Sequence, residues 1–257
     1  MRIARCATED TVEFAVIEST DQGDVLALLN GHPFGEIQFS GVRRPLADVR
    51  LLAPILPSKI VAVARNYADH AKEMGGEVTE EPMIFLKPST SVIGPNDAVV
   101  LPSQSQQVDF EGELAVVIGA FCRDVDPDRA DEVIFGYTIA NDVTARDLQR
   151  TDGQWARAKG FDTFCPLGPW IETRLDATDL ALETSVDGEV RQRGRTSQFV
   201  HSIADLIAYV SAAMTLLPGD VILTGTPAGV GPLHDGETVA VSIEGIGTLS
   251  NRVMARV

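Results

Sequence analysis

The chain is short of cysteine, of long apolar runs and of positive charge, and each shortage excludes a class of protein. Its three cysteines, Cys6, Cys122 and Cys165, stand far apart and form no CxxC pair. That spacing indicates neither a zinc site nor a disulfide framework, and the thiols read as small buried or half-buried side chains. No apolar run approaches the roughly 20 residues needed to span a bilayer. The N-terminal MRIARCATEDTVEF lacks the apolar core of a signal peptide, so a cytoplasmic location without membrane contact is the expectation. Lys and Arg total 21 against 37 Asp and Glu, a net charge of −16. Such a field repels a nucleic-acid backbone. It does not exclude a small anionic substrate, because one nearby cation outweighs distant charge.

Several chemical motifs are missing as well. No GxSxG is present, which argues against a serine-hydrolase elbow. The glycine-rich LTGTPAGVGP, residues 223–232, lacks the Gly-Lys-Ser/Thr ending of a P-loop and does not match GxGxxG. It reads instead as a tight loop able to turn backbone N–H groups and the Thr226 hydroxyl toward a ligand anion. There is no internal repeat and no low-complexity segment.

What is present is an ordinary folded composition, 44% hydrophobic and 23% charged over 257 residues. That length can bury a full core as one large domain or as one domain with an appendage. Residues 1–55 read as a small β-rich N-terminal domain, with strands in RIARCA and VEFAVIE. Pro54 and Pro57 in LLAPILPSKI mark a linker, after which residues 56–257 begin a new β-like run at KIVAVA. LETSVDGEVRQRG is a hairpin turning at Asp187-Gly188. A helix starts at Ser202 with Asp205 as a capping-box partner, and Ile203, Leu206, Ile207, Val210, Met214 and Leu217 line it before Pro218-Gly219. A second, shorter helix is expected over Asn66 to Met74. The pattern is a β-rich α+β fold and not a βαβ array.

The segment VDFEGELAVVIGAF, residues 108–121, places Asp109, Glu111 and Glu113 at alternate positions of a strand that runs into the core. Strand side chains alternate faces, so the three carboxylates would share one face and repel. A divalent metal with hard oxygen ligands relieves that repulsion, and so does simple hydration at an exposed strand end. A further acid could come from TIANDVTARDLQRTDGQ, where Asp142, Asp147 and Asp152 are available and spacing alone does not choose. In RNYADHAKEM, a helix would put His70 and Glu73 on one face. A carboxylate beside an imidazole suits a general base, the alternative being an incidental histidine on a solvated helix. His32, His201 and His234 lie in turns or before a cap and read as structural or surface residues. Lys159 is a lone lysine in WARAKGFDTF, either a surface group or a pocket cation for an oxyanion.

RNYADHAKEM, PMIFLKPSTSVIGPND, VDFEGELAVVIG, NDVTARDLQ, AKGFDTFCPLGPW and ILTGTPAGVG, in that order, resemble the fumarylacetoacetate hydrolase family from about residue 59 to the end. The first 55 residues resemble the small N-terminal domain of some bacterial members. The resemblance implies a β-roll catalytic domain with Mg²⁺ or Mn²⁺ held by Glu111, Glu113 and Asp142, and Asp109 as a nearby non-ligating acid. It implies a His70–Glu73 catalytic dyad on a lid, and Gln149, Lys159 and Thr226 on the carboxylate and the oxo or enolate oxygens of a substrate, with Arg65 as a further contact. Gly160 departs from the family, where serine often follows the lysine, a change that would bear on substrate choice. The implied activity is metal-dependent hydrolysis or isomerisation of 2-oxo or 2-hydroxy-diene dioic acids from aromatic-ring degradation, through an enolate, in a homodimer. Oxaloacetate decarboxylation, or metal binding without turnover, are the alternatives.

Overall fold

A computed structural model describes residues 1–8 and 11–256. Strands dominate it, and among the described residues the α-helices are short: α1 (Ala68–Glu73), α2 (Arg146–Thr151), α3 (Ala156–Gly160) and α4 (Ile203–Ala213). A 12-stranded mixed sheet forms the body. Near its middle the strand Gly112–Ile118 lies antiparallel between Ile134–Asn141 and Val221–Leu223. Ile60–Ala64 follows in parallel with Val221–Leu223, and Met83–Lys87 forms the edge. Every residue of Gly112–Ile118 is buried, as expected of a strand covered on both faces.

Side-chain alternation explains the layers. Val116 and Ile118, with Val61, Val63 and Ile222, pack under Leu206, Ile207 and Val210 of α4. Leu114 on the same face, with Ile139, meets Leu182, Val241 and Leu249 of a five-stranded sheet. Ala115 and Val117 point the other way, toward Ile60, Ala62, Leu167 and Ile171. Glu113 shares that second parity, at the end of the strand where the apolar layer stops.

The first strands extend the same sheet. Arg2–Ala7 pairs with Val12–Thr20 and, through Arg2 and Ile3, with Glu172 and Ile171 of the strand Cys165–Glu172. The hairpin joining Ala181–Val186 to Glu189–Arg195 turns at Asp187 and Gly188, both with positive φ (49° and 81°), as its sequence predicts.

Local differences from the sequence reading have physical causes. VDFEGELAVVIG is two strands, Val108–Phe110 in a three-stranded sheet and Gly112–Ile118 in the large one, with Glu111 at the crossing. A Cβ on Gly112 would lie 2.1 Å from Thr184 Oγ1, so only glycine lets the five-stranded sheet come this close. Helix α4 stops at Ala213, short of Met214 and Leu217. Met214 is extended, and Leu216 exchanges backbone hydrogen bonds with Cys122. Helix α1 starts at Ala68 and not at Asn66, whose amide instead bonds the backbones of His201 and Thr224. Helices α2 and α3, of 6 and 5 residues, are too short to show an apolar period in the sequence.

Candidate active site

Backbone pairing builds the acidic cluster. Asn141 opposes Gly112, the Asn141 side chain accepts from Glu111 N–H at 2.9 Å, and Asp142 N–H donates to the Glu111 carbonyl at 2.8 Å. Glu111, Glu113 and Asp142 are thereby buried together, with one carboxylate oxygen from each lying within 4.8 Å of the others. Asp147 and Asp152 are elsewhere: Asp147 caps Ser105 and Gln106, and Asp152 pairs with Arg157. Asp109 stays beside the trio, joined to it through Arg146.

Three buried cations meet these acids. Lys159 Nζ, on α3, donates to Glu111 Oε2 at 2.7 Å and Asp142 Oδ2 at 2.6 Å, and sits 4.9 Å from the Phe85 ring centroid. Lys87 Nζ donates to Asp142 Oδ1 at 2.6 Å, to the Lys159 carbonyl at 2.5 Å and to the Val143 carbonyl at 3.3 Å. All three of its protons are used, so it anchors and does not touch a ligand. Arg146 on α2 spans Asp109 (2.8 Å), Glu111 (2.5 Å) and Gln149 Oε1 (2.7 Å). That last bond occupies the Gln149 carbonyl and leaves its NH₂ to donate into the cavity. Neither Arg146 nor Lys87 was singled out from sequence. Their only signal was a cation inside otherwise apolar or small stretches, MIFLK and VTARD.

The electrostatics are unbalanced at one group. Burial opposes the charge on Glu111, but Lys159 and Arg146 hold its carboxyl well below the usual range. Burial also opposes the Lys159 charge, and Asp142 and Glu111 outweigh it, lifting the ammonium above its ordinary value. Glu113 is hydrogen-bonded to none of these cations. Burial, then Asp142 and Glu111, push its carboxyl well up, against the charge of Lys159 and one backbone N–H from Gly225 at 2.6 Å. Four carboxylates (Asp109, Glu111, Glu113, Asp142) thus face three cations (Lys87, Arg146, Lys159). A divalent ion fits this donor set: hard, buried oxygens that converge, with Glu113 outside every ion pair.

Across the cavity, His70 Nδ1 lies 3.1 Å from Glu73 Oε2 on α1. Glu73 Oε1 accepts from Gly229 N–H at 2.9 Å, so the loop after Val221–Leu223 fixes the carboxylate that orients the imidazole. Thr226 Oγ1 donates to the Gly112 carbonyl at 2.8 Å and accepts from Gln192 Nε2 at 2.8 Å. The fully buried Gln192 also donates to the Pro227 carbonyl and accepts from Gly112 N–H, which fixes its amide orientation. Sequence reasoning missed Gln192, which lies in an unremarkable hairpin strand.

Arg65, His70, Glu111, Glu113, Asp142, Gln149, Lys159 and Thr226 all line one cavity, with Phe85 and Trp155 as its apolar wall. Glu73 stands behind His70 and off the lining. The remaining histidines lie apart: His32 packs between Phe14 and Phe34, the His201 backbone holds Asn66, and His234 is exposed. Gly160 does not line the cavity, and a Cβ there would point at Pro88 Cδ, 3.1 Å away. The nearest neighbour of a side chain at that position is therefore Pro88.

The chain is similar to known proteins over its whole length. Residues 59–254 match the fumarylacetoacetate (FAA) hydrolase C-terminal family, and residues 1–54 match the Rv2993c-like N-terminal family. The chain is 56% identical to protein Rv2993c of Mycobacterium tuberculosis, covering 100% of this chain and 99% of that one. It is 46% identical to the human mitochondrial oxaloacetate tautomerase FAHD2A, over 86% of this chain and 77% of the other. A crystal structure of 5-carboxymethyl-2-hydroxymuconate delta-isomerase from Mycobacterium smegmatis superposes with a TM-score of 0.94 at 57% identity, over all of both chains. Fumarylpyruvate hydrolase from Pseudomonas aeruginosa, in complex with Mn²⁺ and pyruvate, superposes with a TM-score of 0.75 at 35% identity, over 80% of this chain and 92% of that one. With its sheet-rich fold and its buried carboxylate trio, the chain belongs to the fumarylacetoacetate hydrolase family.

Proposed function

We propose that this chain is a divalent-metal-dependent enzyme acting on 2-oxo dioic acids through their enolates, with proton transfer at the carbon next to the 2-oxo group as its core step. The observation that carries the reading is the arrangement of Lys159 and His70 in one cavity, an oxyanion-stabilising cation and a carboxylate-backed imidazole. Glu111, Glu113 and Asp142 would hold Mg²⁺ or Mn²⁺, which supplies Lewis-acid polarisation of the 2-oxo group when bound. Glu73 accepts from His70 Nδ1–H and so leaves Nε2 as the nitrogen that takes and returns the proton. Lys159 uses two of its three protons on Glu111 and Asp142, and the third is available to the enolate oxygen. Gln149 NH₂ is available to the substrate carboxylate.

A second reading is hydrolysis of a C–C bond with release of pyruvate, favoured by the likeness to fumarylpyruvate hydrolase. There His70 takes the proton from an attacking water, and the same enolate is the leaving group. One experiment separates the two. Purified protein with Mg²⁺ or Mn²⁺ is given oxaloacetate, followed by the ultraviolet absorbance of its enol, and an acylpyruvate, followed by NADH consumption coupled to pyruvate. EDTA-sensitive enol–keto interconversion supports the first reading. EDTA-sensitive pyruvate release from the acylpyruvate moves it to the second, and release from oxaloacetate alone to decarboxylation. No turnover of either substrate sinks both enzymatic readings.

A further inference from the structure

Arg65 is the residue whose conformation and surroundings the proposed chemistry leaves unexplained. It follows the buried strand Ile60–Ala64 with φ of 58°, in the left-handed region that non-glycine residues rarely occupy. Such strain persists only where the surroundings over-determine it, and it concentrates at ligand clamps. The surroundings here are specific. A Cβ placed on Gly76 would lie 2.8 Å from Arg65 Cζ and 3.0 Å from both Nη1 and Nη2. Three nearly equal distances mean that the flat face of the guanidinium lies on the Gly76 backbone. A face-on seat leaves the N–H edges pointing sideways. The group lines the active cavity, and among the described residues no carboxylate pairs with it. In a chain of net charge −16, a half-buried guanidinium without an acid partner at a cavity wall stands out.

Gly76 belongs to the segment that leaves α1. Gly75 N–H bonds the Lys72 carbonyl and Gly76 N–H the Ala71 carbonyl, so the seat is rigidly tied to the helix that carries His70 and Glu73. We infer that Arg65 receives the second carboxylate of the substrate, and that Gly76 is glycine so that the guanidinium can lie flat there with its fork of N–H groups open. Recognition of a dicarboxylate and placement of the His70 helix are then one event. This assignment rests on the 2-oxo acid reading above and adds which end of the substrate is read, and by what.

The test uses two inert 2-oxo acid mimics with the same head: N-oxalylglycine, which has a second carboxylate, and N-methyloxamate, which lacks it. Binding of each to the Mn²⁺-loaded protein is measured by calorimetry. The wild type is expected to favour N-oxalylglycine by roughly tenfold to a hundredfold, the usual worth of a charge-assisted pair. Arg65→Met should bring that ratio close to one. Gly76→Ala leaves Arg65 in place but pushes its guanidinium off the seat. It should lower the ratio equally. A ratio that survives Arg65→Met overturns the assignment while the 2-oxo acid reading stands. A ratio lost in Arg65→Met but kept in Gly76→Ala overturns the role of the seat. Binding of neither mimic to the wild type overturns the 2-oxo acid reading and this inference with it.

Discussion

Glu113 concentrates the electrostatic problem of the site, since its like-charged neighbours are each ion-paired and it is not. Glu113→Gln keeps the shape and removes the surplus charge. The metal-free variant is expected to melt no lower than the wild type, yet to lose the rise in melting temperature that Mn²⁺ gives, a ligand effect worth about 2.7 kcal/mol at a hundredfold excess over Kd. Scanning fluorimetry with and without EDTA reads both. His70→Ala should lower kcat for the substrate that proves active by on the order of 10²–10⁴, the range of general base catalysis, with little change in melting temperature. A loss under tenfold would remove His70 from the proton path. Gln192 acts through others. Gln192→Leu leaves Gly112 N–H and the Pro227 carbonyl without their partner, at about 1–3 kcal/mol for each buried group left unpaired, a loss readable by urea unfolding.

At the scale of elements, the site depends on where strands and short helices end. Glu111 sits where the chain passes between two sheets, Asp142 just beyond the end of Ile134–Asn141, and Lys159 near the end of α3. Functional groups at element ends leave the interior of each element free to pack. The capping box of α4, with Ser202 Oγ accepting from Asp205 N–H and the Asp205 carboxylate accepting from Ser202 N–H, was readable in the sequence because both partners are local. Ser202→Ala is expected to cost about 1 kcal/mol of stability, measured by denaturant midpoint, with turnover unchanged. The far end of α4 was not readable, because the Leu216–Cys122 backbone pairing that ends it joins residues distant in sequence.

Over the whole molecule, the apolar layers bury all three cysteines, and burial raises each thiol, Cys165 to about 12. A group with that pKa is thiolate to only about one part in 10⁴ at pH 8, and reactivity follows the thiolate. The folded protein is expected to show no thiol reaction with a disulfide reagent at pH 8, and all three cysteines should react in urea. Fast labelling of the native protein would show that the core opens locally. No helix among the described residues is long and apolar enough to cross a membrane. The homodimer remains a proposal, to be read by light scattering.

The sequence by itself determined what depends on neighbours along the chain: His70 and Glu73 one helical turn apart, the Asp187-Gly188 turn and the Ser202 cap. Helical pitch, turn and cap chemistry are local geometry, so residue order suffices, whereas Glu111 and Glu113 meet where the chain crosses between two sheets. Spacing left Asp142, Asp147 and Asp152 open, and a resemblance in motif order singled out Asp142. Only the tertiary structure decided how the negative charge is shared. Lys87 and Arg146, ordinary cations in sequence, become anchors because the fold buries them against Asp142 and Glu111. Gly160 is set against Pro88, and Gly76 is laid under Arg65. The reason is physical: burial and charge pairing are properties of distance in space, and the pairs that matter here are separated by 35 residues in Arg146–Glu111 and by 55 in Lys87–Asp142.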